Sequence, residues 1–161
     1  MALDPLLWLC NTADQRIQDG TPQAVRVRID PEYSYSNEVE YHVWNNIRGT
    51  QERKDMVSCY ATVYDMKETS EGQEISGIDE DIILNNWIEI CCPTYENKWY
   101  PCRGGFAKCP IGTLSGKPNS GNWNTDTANR ASIKVRIKGR YTPDMVHSGD
   151  RLVKISVGGS Y

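Results

Sequence analysis

Apolar and polar residues alternate with period two over much of the chain, the spacing that puts one face of a β-strand in a core and the other in water. Val25, Val27 and Ile29 alternate with Arg26 and Arg28, and Val39, Tyr41 and Val43 alternate with Glu38, Glu40 and His42. Val57, Cys59, Ala61 and Val63 stand opposite Tyr60, Thr62 and Tyr64. Ile133, Val135 and Ile137 alternate with Lys134, Arg136 and Lys138, and Val153, Ile155 and Val157 with Leu152, Lys154 and Ser156. The run Ile82 to Ile90 is apolar almost throughout; its β-branched content and the Cys91-Cys92-Pro93 stop favour a strand over a short helix. Turn residues separate these runs, as in Asp30-Pro31 to Asn37 and Gly139 to Gly149.

Six or seven strands without an amphipathic helix predict an all-β fold, a two-sheet antiparallel β-sandwich of immunoglobulin-like type. One domain over 1–161 accounts for the whole pattern. Residues 112–129, rich in Gly, Ser, Asn and Thr, read as a long exposed loop with Trp123 as its one large anchor or contact residue.

At 161 residues the chain is long enough to bury roughly two thirds of its surface on folding. Five Trp and nine Tyr against one Phe supply many side chains that join an apolar body to a polar tip, suited to half-wet positions. A formal charge of −3, with the basic residues spread along strand faces, argues against a nucleic-acid partner. No apolar stretch reaches the roughly 18 residues of a membrane-spanning helix.

The six cysteines, Cys10, Cys59, Cys91, Cys92, Cys102 and Cys109, form an even set that predicts disulfides and an oxidising compartment. Zinc is the alternative, but no C-x-x-C occurs and both histidines are distant in sequence. Adjacent Cys91 and Cys92 should face different partners. Cys102 and Cys109 bracket Gly104-Gly105, which would let the chain turn back and the two bond. The expected location is secreted, or the lysosomal or endomembrane lumen, with any leader removed.

Nothing in the sequence assembles a catalytic group. His42 falls on the polar face of its strand and His147 in a Ser/Gly-rich turn, so both read as solvated, and no nucleophile elbow, phosphate loop or H-E-x-x-H is present. Asp79-Glu80-Asp81 reads as a solubilising loop. The expectation is a non-enzymatic protein without metal or cofactor.

The run Cys102-x6-Cys109-Pro110-Ile111, a following strand, the connection Thr142-Pro143-Asp144 and a final alternating strand, together with Trp8-x-Cys10 and a first strand ending in Asp30-Pro31, resembles the ML-type lipid-recognition domains. The chain departs from that family in having no Cys after Cys109 and in the long 112–129 segment. The resemblance implies two sheets that splay to hold an acyl chain or sterol, lined here by Val27, Ile29, Val43, Val63, Ile83, Ile90, Val135 and Ile155. Trp99 and Tyr100 would sit at the mouth, where they could also touch a membrane surface. The other reading is an interaction domain, or a jelly-roll capsid or carbohydrate-binding module, that meets a protein or sugar partner through aromatic loops.

Overall fold

The alternating stretch Val39–Asn45 forms strand β3 and pairs antiparallel with β8, Arg130–Ile137, in a register that sets Tyr41 against Ile133 and His42 against Ser132. In this computed structural model, residues 2–18, 21, 23–26, 38–64, 88–103, 107–137 and 150–161 are described. The other described strands are β1 (Leu7–Cys10), β2 (Gln23–Arg26), β4 (Met56–Val63), β5 (Ile88–Cys92), β6 (Glu96–Pro101), β7 (Cys109–Leu114), β9 (Asp150–Val153) and β10 (Ile155–Ser160). They form a five-stranded sheet in the order β1-β3-β8-β5-β6, a three-stranded sheet β10-β4-β7 and a pair β2-β9, all antiparallel. The protein is thus an all-β, two-sheet sandwich, as the alternation predicts.

Because paired residues share a face, the registers sort the five-stranded sheet cleanly. Leu9, Val43, Tyr41, Ala131, Ile133, Val135, Ile88 and Ile90 point inward and join Cys59, Ala61, Val63, Ile111 and Ile155 of the other sheet in one core. The opposite face carries Trp8, Cys10, Trp44, His42, Glu40, Arg130, Ser132, Arg136, Glu89 and Trp99.

Two local departures from strict alternation have physical causes. In β4 the buried residue is Met56, whereas Val57, expected inside, is 41% exposed. Ser58 adopts φ 50 and the register with β7 shifts between Met56 and Cys59, a bulge that moves the alternation by one residue. The last predicted strand is divided at Lys154: β9 pairs with β2, and β10 pairs with β4.

The disulfide expectation is corrected. All six cysteines are buried free thiols. Cys91 and Cys92 do face opposite ways, Cys92 into the core and Cys91 onto the outer face with Lys134 and Trp99. The loop that Cys102 and Cys109 were expected to close is instead closed by backbone, with Arg103 and Ala107 exchanging hydrogen bonds of 3.0 and 2.8 Å. Each thiol lies within reach of a carbonyl, Cys102 Sγ 3.2 Å from Tyr100 O and Cys109 Sγ 3.7 Å from Pro110 O. Six free thiols remove the support that cysteine count gave to an oxidising compartment.

Candidate functional site

Each residue of the expected lipid site that can be placed has a definite position. Val27, Ile29 and Ile83 lie outside the described residues, as do His147 and Asp79-Glu80-Asp81. Val43, Val63, Ile90 and Val135 show no exposed surface at all, and Ile155 shows 5%. Zero exposure means that no space the size of a water molecule adjoins these four side chains, so neighbouring side chains fill the volume around them. Trp99 and Tyr100 are split by the strand alternation. Trp99 lies on the outer face of β6 under the Arg136 guanidinium, 3.8 Å from its ring centre, and Arg136 is held by Glu89 at 2.8 Å. Tyr100 turns the other way, against the core and toward β7.

His42 is not solvated. Its Nδ1 lies 2.6 Å from Asp14 Oδ1, and the same oxygen accepts the Trp44 indole N–H at 2.8 Å. The Trp123 ring stacks on the imidazole at 3.4 Å and 11°. Arg130 covers the Trp123 ring at 3.9 Å and donates to its carbonyl at 2.7 and 3.0 Å. Ser132 donates to Glu40 at 2.6 Å. Trp123 is thus the anchor of the 112–129 segment, which is otherwise stitched by asparagine amides. Asn119 donates to Asn46 O at 2.7 Å, and Asn129 donates to Ser115 O and Lys117 O at 2.8 and 2.9 Å. The first residues of the segment belong to β7, and beyond Leu114 the loop is exposed only in part, with Gly116 and Asn129 buried.

An open groove of about 630 Å³ lies where β4, β6, β7 and β10 converge. That volume is in the usual range of ligand sites. Tyr60, Tyr95 and Tyr100 line it with Ser58, Lys108, Pro110 and Gly112. Two glycines make the arrangement possible. A Cβ on Gly112, at φ +93, would come within 2.9 Å of the Tyr95 ring, and one on Gly158 within 2.5 Å of the Tyr60 hydroxyl. Tyr95, at the tip of the β5–β6 turn, rests on the bare Gly112 backbone yet stays 56% exposed, leaving ring surface free. Tyr100 donates its hydroxyl to Glu96 Oε2 at 2.6 Å, and that carboxylate pushes the phenol up to about 12, so the group stays neutral.

Sequence reading singled out Tyr100, for the mouth of a lipid cavity, but not Tyr60 or Tyr95. Tyr60 read as the polar face of a strand, and Tyr95 stood in a turn; only the crossing of β6 and β7 joins them, and no local pattern reports that. Among the described residues no group of His, Cys, Asp and Glu is arranged to hold a metal ion. No family model matches the chain, and no curated protein or solved structure matches it.

Proposed function

We propose that the protein is a non-enzymatic recognition module that binds a saccharide in the tyrosine groove. The observation that carries this reading is the convergence of three tyrosines and several hydroxyls on one open groove, with more than half of Tyr95 exposed. The face of an aromatic ring carries negative potential, which suits the slightly positive C–H face of a sugar ring. Ser58, Ser160 and the Tyr60 hydroxyl supply groups that both donate and accept, matching sugar hydroxyls. Pro110 in the edge strand β7 removes a backbone donor, which disfavours a partner that binds by adding a strand.

An array of neutral, carboxylated and sulfated oligosaccharides tests the proposal. The wild-type chain should bind a defined subset, and Tyr95→Ala should weaken that binding about tenfold, the scale of a truncated aromatic anchor. Trp99→Ala, on the other face, should leave it unchanged. Binding to no oligosaccharide, or equal binding by Tyr95→Ala, contradicts the proposal.

A second reading keeps the lipid expected from the ML-type resemblance. A recess of about 410 Å³ reaches Ile111 and Leu114 of one sheet and Ala131 of the other, and so marks one end of the seam between them. An acyl chain would enter there and would have to part side chains that are now in contact. A fluorescent fatty acid binding near one per chain, and weakened by Ala131→Trp, supports it; no uptake from vesicles counts against it.

A further inference from the structure

Building on the saccharide reading, we infer that the groove selects an acidic sugar, one bearing a carboxylate or a sulfate, through Lys98 and Lys108. The Lys108 ammonium sits 4.2 Å from the Tyr60 ring centre and the Lys98 ammonium 4.9 Å from that of Tyr100. Each is therefore poised over a groove tyrosine. Neither has a carboxylate within ion-pair distance among the described residues. The Glu96 carboxylate at the groove already accepts the Tyr100 hydroxyl.

Among the described charged groups at the groove tyrosines, the Lys98 and Lys108 ammonium groups stand against the Glu96 carboxylate, in a chain whose formal charge is −3. Elsewhere among the described residues Arg136, Arg130 and Lys54 have partners besides the rings they cover, Lys54 lying 4.0 Å from Asp4, while Arg16 lies over Trp8 at 4.7 Å on the outer face of the larger sheet. Arg136 is bound to Glu89, and Arg130 to the Trp123 carbonyl. The two lysines are thus uncommitted donors beside the exposed Tyr95 ring, and an anionic group on a ring-stacked sugar would complete both requirements. Lysine binds such a group as a compact point charge, so either acid is accepted.

The test is calorimetric titration of the full chain with four probes: a glucose tetrasaccharide, a galacturonic acid tetrasaccharide, a sulfated glucose tetrasaccharide and a tetraglutamate peptide. An acidic tetrasaccharide should bind about fivefold tighter than the neutral one for each exposed lysine engaged. The preference should shrink toward none in salt of about 0.5 M. It should be lost in the double variant Lys98→Ala/Lys108→Ala and kept when both become Arg; both sites are exposed, and an unchanged far-ultraviolet spectrum checks folding. The larger of the two acidic affinities identifies carboxylate or sulfate as the preferred group. Equal binding of neutral and acidic sugars overturns this inference while the groove reading stands. Binding of none of the sugars overturns both, and tetraglutamate binding as tightly as the acidic sugars overturns the assignment to a saccharide.

Discussion

Two aromatic surfaces flank the same core and behave oppositely. On the outer face of the five-stranded sheet, Trp44, Trp123, His42 and Asp14 close on one another: the carboxylate takes two donors, the imidazole is stacked, and the covering indole is pinned by Arg130. At the groove, Tyr95 is majority exposed and two lysines lie over ring faces with no ion-pair partner among the described residues. Aromatic and cationic residues occur in both places. What separates them is whether the polar groups around the rings find partners inside the chain. Those of the His42 cluster do, although Trp8 Nε1 on the same face is buried without one, and the groove lysines do not among the described residues. The first cluster is therefore structural and the groove is available to a ligand.

The largest expected effect is on the closed surface. Asp14→Ala removes the acceptor shared by a 5% exposed histidine and a fully buried indole, and should cost about 3 kcal/mol in urea unfolding. Asp14→Asn should cost about 1 kcal/mol, because an amide oxygen still accepts and Asn tolerates the φ of 60 that Asp14 adopts. Equal losses in the two variants would mean that the carboxylate charge, which both remove, and not the shared acceptor, is what matters there.

Trp123→Ala comes next, at about 2 kcal/mol, since the indole is only partly buried but stacks on His42. Tyr95→Ala, its counterpart at the groove, should change stability by less than about 0.5 kcal/mol while weakening ligand. A stability loss for Tyr95 comparable to that for Trp123 erases the contrast between the two surfaces.

The sandwich was legible in the sequence because burial on one face imposes period two, and β3 and β8 carry that period plainly, whereas the bulge at Ser58 interrupts it in β4. The short strands β1, β6 and β7 were harder. Glu96-Asn97-Lys98 in β6 is exposed throughout, so no burial marks its alternation. Tertiary partners decided the rest. His42 sits on the polar face as its alternation says, but its cover comes from a tryptophan 81 positions later in the chain. The Cys102–Cys109 spacing suggested a bridge, whereas the bridge Arg103–Ala107 does the closing through backbone alone.

Thiol chemistry offers two smaller tests of the closed core. Maleimide labelling after denaturation without reductant should find six free thiols, and labelling of the folded chain should be slow at each. A Cys102–Cys109 crosslink in peptide maps would restore the expected staple. Burial raises Cys10 and Cys59 to about 11 and Cys102 to about 12. The unfolded chain then releases these protons first, so stability is full below the ordinary thiol range and falls as pH climbs from about 9 toward 11. Urea midpoints that stay level across that window would show that these thiols are not desolvated.

The most direct test of the open-versus-closed account is an NMR titration of the isotope-labelled chain with the tightest oligosaccharide of the array. Shifts should cluster at Tyr60, Tyr95, Tyr100, Lys108 and Ser160, while the indole signals of Trp44 and Trp123 and the methyls of Val43, Ile90 and Val135 stay in place. Movement centred on those indoles or on those methyls would contradict it, placing the ligand on the outer sheet face in the first case and between the sheets in the second.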